Sequence, residues 1–203
     1  MRILKTKKRK SGFTLIELLL SIAIVAILST TVVVVARPTT RLGQSRDLQR
    51  VLDLGALDTA LRLATFNAEF MGTSTIIYLS LPDNSSSTCG SYALTPPIGY
   101  TYQCASTANN EKADGTGWIP INFSGISELS FNALPLDPAT SASSSLYYSY
   151  IPGGDSFELN ALLEFGATSP IGVPDPATID GGDSTQLYEK GTNLRLSPIT
   201  SRP

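Results

Sequence analysis

Residues 7–20 read KKRKSGFTLIELLL. Four consecutive cations lead into a Ser-Gly pair, and residues 13–36 are then predominantly apolar, with Glu17 as their only charge. As a helix this segment would span about 36 Å, which exceeds the bilayer hydrocarbon core of about 30 Å. Each Leu, Ile, Val or Phe favours insertion by roughly 0.3–0.6 kcal/mol, and their sum outweighs the roughly 2.5–3.5 kcal/mol cost of one acid. The sequence therefore predicts a membrane-spanning helix at residues 13–36, with its basic leader in the cytoplasm.

Two simpler interpretations of this segment exist, a secretory signal peptide and a plain membrane anchor. A secretory signal peptide has an apolar region of only about 7–15 residues and a small-residue cleavage site, and no A-x-A pattern follows Ala36. A plain membrane anchor accounts for the apolar residues if Glu17 snorkels toward the interface from the helix end. Neither interpretation explains why the chain retains an acid where an apolar residue would insert more easily.

Charge is unevenly distributed along the 203 residues, although the net charge is only −2. Six of the first ten residues are basic, whereas residues 71–203 carry twelve acids and four bases. The acidic body argues against nucleic-acid binding by that part. The chain has no histidine, which excludes Ser-His-Asp and Cys-His catalysis and most zinc sites. We do not expect an enzyme, and we interpret Glu158 and Glu164 as one solvent-facing side of a strand.

The string from Ser11 to Leu18, SGFTLIEL, resembles the processing site of the type IV pilin and type II secretion pseudopilin superfamily. The resemblance implies that prepilin peptidase removes the basic leader by cutting between Gly12 and Phe13, and that Phe13 is then N-methylated. It also implies that Glu17 pairs with the freed amine of a neighbouring subunit during assembly. An intramembrane acid is by default functional and has a definable partner.

The same resemblance implies the partners and the location of the chain. The partners are identical or related pilin subunits, prepilin peptidase, an inner-membrane assembly platform and, before assembly, membrane lipid. The chain would be a single-pass membrane protein with its head outside the cytoplasm, and later part of an extracellular filament. The predicted segments are a leader at 1–12, a membrane or filament-core helix at 13–36, an amphipathic helix half at 37–70 and a pilin-like head at 71–203.

Beyond the break at Arg37-Pro38, the pattern predicts a helix over residues 41–70 with one apolar stripe. The stripe consists of Leu48, Val51, Leu54, Leu57, Leu61, Ala64 and Ala68. Strands are predicted at 74–81 and 118–123, and a hairpin at 146–151 and 156–165 whose apolar face should cover the stripe. The expected fold is α+β, with a long helix packed on a small antiparallel sheet.

The two cysteines, Cys89 and Cys104, would close a loop of about 16 residues as a disulfide, worth roughly 3 kcal/mol; two unpaired thiols are the alternative. In the tail, Asp175, Asp180 and Asp183 could offer oxygens to calcium, as in a C-terminal loop of some major pseudopilins. The alternative for the tail is a solvated acidic turn without a cofactor.

Three functions fit these features. The first is a structural subunit of a type IV pilus or related filament, and the second is a pseudopilin of a type II secretion system. The third belongs to another class: a membrane-anchored extracellular adhesin or binding protein, in which loops 82–118 and 166–186 would recognise a surface.

Overall fold

The computed structural model describes residues 12–36, 38–67, 71–126, 132–165 and 175–199. The chain divides into two compact units, Met1–Leu42 and Gly43–Pro203. The leader predicted at residues 1–12 lies outside the described residues except for Gly12.

Two long helices occupy the N-terminal third of the chain. Helix α1 spans Leu15–Ala36 and helix α2 spans Pro38–Phe66. The helix boundary falls at the predicted break, since proline fits the first turn of a helix, where its missing N–H is not needed. Both predicted helices are confirmed, although α2 starts earlier than expected.

Five short strands form one sheet in the second unit. They are β1 (Ile76–Leu79), β2 (Thr101–Cys104), β3 (Ser149–Pro152), β4 (Phe157–Leu162) and β5 (Leu187–Gly191). The order across the sheet is β2-β1-β3-β4-β5. The α+β class, the first strand and the β3–β4 hairpin are confirmed, and β5 was not predicted as a strand.

The prediction of an antiparallel sheet is wrong for one pair of strands. β1 and β2 are parallel, with Ile76 opposite Thr101 and Leu79 opposite Cys104, while the other pairs are antiparallel. Parallel neighbours need a crossover of a dozen residues or more, and residues 80–100 provide it. The sheet is therefore mixed.

The core lies between α2 and one face of the sheet. The inner face of α2 and the apolar face of β4 belong to one buried cluster, as the predicted stripe and hairpin require. Its members from α2 and β4 are Leu54, Leu57, Ala60, Leu61, Ala64, Phe157, Leu159 and Ala161. Leu48 is an error in the predicted stripe, because its side chain is 60% exposed.

The predicted strand at residues 118–123 is also wrong. Trp118 and Phe123 are buried in the core, but their amides bond to loop carbonyls of Asn110 (3.1 Å) and Ala113 (2.8 Å). A short 3-10 helix follows at Phe123–Gly125. The apolar composition that predicted a strand reflects a buried loop instead.

A buried arginine joins α2 to two distant segments of the head. Arg50 Nε and Nη2 donate to the two carboxylate oxygens of Asp137 at 2.6 and 2.8 Å. Arg50 Nη1 also donates to Asp47 and to Glu164, at 2.7 and 2.8 Å. Burial alone would lower the pKa of Arg50, but the hydrogen bonds and charge of Asp137 and its acidic neighbours outweigh burial and raise it.

Glu164 is also held by a second arginine, because Arg46 Nε donates to it at 2.7 Å. The hydrogen bonds from Arg46 and Arg50 hold the pKa of Glu164 below its usual value. Asp47 accepts the backbone N–H groups of Glu164 and Phe165, each at 2.8 Å. Glu164 is thus part of an ion-pair network. The prediction that it lies on a solvent-facing side of a strand is wrong.

Glu158 does not face solvent either. It is fully buried on β4, and Glu189 is fully buried on the adjacent strand β5. Oε2 of Glu158 accepts the N–H of Leu196 at 2.7 Å, and Oε2 of Glu189 accepts the N–H of Ser184 at 2.9 Å. Among the described residues, Oε1 of each glutamate has no hydrogen-bond partner. Burial raises the pKa of Glu189, and the charge of Glu158 raises it further, to about 8.

We predict that Arg50→Gln destabilises the full chain in mild detergent by about 3–5 kcal/mol, because it leaves the buried Asp137 carboxylate unpaired. Unfolding in guanidinium chloride measures the change in the free energy of unfolding. Arg62→Gln is the matched control, since Arg62 is half exposed and pairs with Asp58 at 3.0 Å, and such pairs contribute about 1 kcal/mol or less. Equal losses in the two variants would contradict the structural role of Arg50.

We predict that stability falls as the pH rises from about 5 to 8. With a raised pKa, Glu189 holds its proton in the folded chain and releases it in the unfolded chain, so folding is favoured at low pH. The slope should approach about 1.4 kcal/mol per pH unit while one proton is involved. The pKa values of three other acids are lowered, so these groups affect stability only at more acidic pH. They are Glu164, Asp83 and Asp114. Glu189→Gln should reduce the dependence of the unfolding free energy on pH. Urea unfolding at a series of pH values measures this dependence, and an unchanged slope in the variant would contradict the prediction.

Candidate functional site: the N-terminus of helix α1

The residues of the predicted processing and assembly site lie at the start of α1. Gly12, Phe13 and Thr14 precede the helix, which begins at Leu15. A Cβ atom added to Gly12 would meet nothing within 4 Å. The side chain of Phe13 is 79% exposed. The Gly12–Phe13 bond therefore lies in a non-helical, accessible segment.

Thr14 and Glu17 form a reciprocal capping box at this helix end. The Glu17 N–H donates to Thr14 Oγ1 at 3.3 Å, and the Thr14 N–H donates to Glu17 Oε2 at 3.5 Å. The Thr14 carbonyl accepts the N–H of Leu18 at 3.2 Å. Such a box satisfies backbone donors that the first helical turn leaves free. A carboxylate there also interacts favourably with the helix dipole.

Sequence reasoning identified Glu17 but missed Thr14. The signal was present, because Thr-x-x-Glu directly before an apolar run is the sequence pattern of a capping box. Interpreted from the sequence, Glu17 is only a charge within an apolar segment. Its hydrogen bonds show that it also defines where the helix starts.

The hydroxyls of Ser21, Ser29 and Thr30 in α1 donate to backbone carbonyls of the helix. The large apolar side chains of α1 described between Leu15 and Leu28 are exposed around the helix. Their exposed fraction ranges from 77% at Leu15 to 50% at Ile24. Within the described residues, no helix is both long enough and apolar enough to cross a membrane. The membrane-spanning role of residues 13–36 thus stays a prediction.

Residues 7–33 match the family model of the prokaryotic N-terminal methylation motif. The match covers the four consecutive cations at residues 7–10, the Gly12–Phe13 junction, the capping box and most of α1. This motif is characteristic of type IV pilins and pseudopilins, and the chain carries it. No curated protein and no solved structure gives a significant match.

The motif sets the coarse class of the protein. It supports a pilin-like or pseudopilin protein, and it implies processing by prepilin peptidase and assembly with pilin-like subunits. It also suggests an N-terminal anchor in a membrane-associated protein.

The head carries the predicted disulfide between Cys89 and Cys104, whose Cα atoms are 5.3 Å apart. Asp83, which precedes the loop closed by the disulfide, accepts the N–H group of Ser91 within that loop at 3.0 Å and the N–H group of Ser85 before it at 2.8 Å. The bonds from Ser91 and Ser85 lower the pKa of Asp83. Disulfide and carboxylate together hold this loop beside the edge strand β2.

The three aspartates proposed for calcium make different contacts. Asp175 caps the short helix α3 (Pro176–Ile179) by accepting the N–H of Ala177 at 3.0 Å. Asp180 accepts the N–H groups of Gly182 and Glu189 at 2.9 and 2.7 Å, and Asp183 is exposed. In the described part of the chain, no group of three or more His, Cys, Asp or Glu side chains is placed to hold a metal ion. Calcium stays a prediction without structural support.

Proposed function

We propose that this protein is a structural subunit of a type IV pilus or a related pilin-like filament. The observation that carries the proposal is an apolar helix, exposed along its described side chains, that begins at a methylation motif. A helix that is apolar all round is stable only when lipid or other apolar surfaces cover it. The role is structural and not catalytic.

Assembly follows from this requirement for an apolar environment. Before assembly, lipid would cover residues 13–36, with the leader in the cytoplasm and the head outside. In the filament, helices of other subunits would replace the lipid. A repeated head-to-tail contact between identical subunits that does not close into a ring produces a filament.

Glu17 is the residue that makes the replacement of lipid by helices of other subunits specific. Its contact to the Thr14 N–H is at the 3.5 Å limit of a hydrogen bond, so an ammonium group can displace it. Cleavage at Gly12 would supply that group as the N-methylated amine of Phe13. In a water-poor helix bundle an amine and a carboxylate attract far more strongly than in water, and the pair would fix the register between subunits.

A pseudopilin of a type II secretion system would use the same processing and the same helix. Electron microscopy of cells producing the protein separates the two: long surface filaments indicate a pilus, and their absence together with a secretion defect indicates a pseudopilin. An adhesin tethered by α1 would remain displayed as single copies.

We predict that the assembled protein lacks residues 1–12 and carries one added methyl group at Phe13. Intact-mass measurement of shed filaments checks this. Gly12→Val should abolish leader removal and filament incorporation. Since a Cβ at Gly12 meets no other atom within 4 Å, the defect would lie in recognition by the peptidase. A cleaved Gly12→Val chain, or Met1 on the assembled protein, would contradict the proposal.

We predict that Glu17→Gln is cleaved normally but enters filaments at least about tenfold less than the wild type. Glutamine keeps the shape and the hydrogen-bond acceptor of the capping box, but it lacks the charge, and a hydrogen bond between charged groups contributes about 1.5–3 kcal/mol. Quantitative immunoblots of sheared filaments measure incorporation. Glu111→Gln, which removes an exposed acid from the head, is the matched control. Normal filament yield from Glu17→Gln would end the pairing hypothesis.

A further inference from the structure

A cleft lies beside the edge strand β2, within the second compact unit and apart from the site at the start of α1. It is lined by the end of β2, by the residues that follow this strand and by a stretch within residues 115–120. We call it the β2 cleft. Its volume of about 350 Å³ falls in the range of about 300–1,000 Å³ that is typical of small-molecule sites.

Three polar side chains that line the β2 cleft have unused hydrogen-bonding capacity. They belong to Gln103, Ser106 and Asn109. Among the described residues, none donates a hydrogen bond to these side chains or accepts one from them. A primary amide offers two donors and an acceptor, and a hydroxyl group both donates and accepts. The cleft is therefore suited to a ligand whose own groups donate and accept hydrogen bonds.

The β2 cleft also has an aromatic, uncharged lining. Tyr78, which lies opposite Gln103 in the sheet, and Trp118 are buried core residues that border it. The Tyr78 hydroxyl accepts the N–H of Thr73 at 3.3 Å, and the indole N–H of Trp118 donates to the Pro135 carbonyl at 3.2 Å. None of the described lining residues carries a charge, so the cleft favours a neutral ligand over an ionic one.

Both sides of the β2 cleft are held in place by the fold. Cys104, a lining residue, is fixed by its disulfide to Cys89. On the opposite side, Gly115 has a φ of 90°, and a Cβ on Gly117 would collide with the Lys112 carbonyl. A site that is already formed binds its ligand without a large cost for ordering the chain.

An extended peptide is a poorer occupant than a compact ligand. A peptide that adds a strand to a sheet needs the main-chain groups of the edge strand. The N–H of Cys104 already donates to the Ser87 carbonyl at 2.9 Å. Residues before the disulfide thus occupy the edge of β2 beside the cleft.

We infer that the β2 cleft binds one neutral sugar residue. A sugar ring has hydroxyl groups that both donate and accept hydrogen bonds, which match the amides of Gln103 and Asn109. Its C–H faces can pack against the apolar surface of Tyr78 and Trp118. This binding site goes beyond the proposed filament function and does not depend on it.

The first test measures binding through Trp118, which is the only tryptophan of the chain. The full-length chain in a polyoxyethylene detergent, which carries no sugar, is titrated with methyl glycosides of glucose, galactose, mannose and N-acetylglucosamine. A saturable change in tryptophan fluorescence with at least one of them is expected, and glucuronic acid, the charged comparator, should bind at least tenfold more weakly. No saturable change with any neutral glycoside, or stronger binding of glucuronic acid, would overturn the inference.

The second test locates the bound sugar in the β2 cleft. Gln103→Leu should weaken binding of the neutral glycoside by about tenfold, as expected for the loss of a hydrogen bond. The melting temperature should stay near the wild-type value, because the Gln103 side chain makes no hydrogen bond within the described chain. Gln186→Leu is the matched control, since Gln186 is exposed and lies outside the cleft.

Asn109→Ala provides an independent variant at a second position of the β2 cleft, so that the test stands even if Gln103→Leu fails to fold. It should also weaken binding of the neutral glycoside several-fold. Wild-type affinity in folded Gln103→Leu and Asn109→Ala chains would refute the site. Loss of filaments with intact sugar binding would contradict the proposed function alone.

Discussion

The exposed apolar surface of α1 is the constraint on which the rest of the molecule depends. Apolar side chains such as Leu and Ile are unfavourable in contact with water, and for this reason the proposed function covers α1 with lipid or with other helices. The predicted cleavage point after Gly12 lies just before the start of the helix, and Thr14 and Glu17 cap its first turn. One residue, Glu17, both caps the helix and brings a charge into the apolar segment.

The head is held to α2 by two different kinds of contact. Apolar packing joins the inner face of α2 to β4, and it gives most of the stabilisation because burial of apolar area dominates folding. The Arg50 network then fixes which segments meet, since one guanidinium contacts Asp137, Glu164 and Asp47.

Local patterns predicted the parts of the fold that depend on neighbouring residues. The long apolar segment predicted α1, and apolar residues at spacings of three and four predicted the inner face of α2. Alternating apolar residues from Phe157 onward predicted β4. The Cys89–Cys104 disulfide could be predicted because only a short loop separates the two cysteines. Gly12 and Phe13, the predicted processing residues, lie in a methylation motif that can be recognised from the sequence because it is contiguous.

Long-range pairing explains what could not be predicted. No local pattern shows that β1 and β2 are parallel, because that depends on the path of residues 80–100. Arg50 resembles a solvent-exposed helix residue until Asp137, 87 positions later, is brought beside it. Glu158 alternates with apolar residues as an outward residue would, but residues after β5 cover that side of the sheet.

The central claim is that α1 exchanges lipid for helices of other copies. The most direct measurement replaces Leu19 with a photo-reactive amino acid and irradiates living cells that contain the peptidase and the assembly machinery. Adducts between two or more copies of the leader-trimmed chain are the expected result. Adducts to lipid alone, with the leader removed and the assembly machinery active, would contradict the claim.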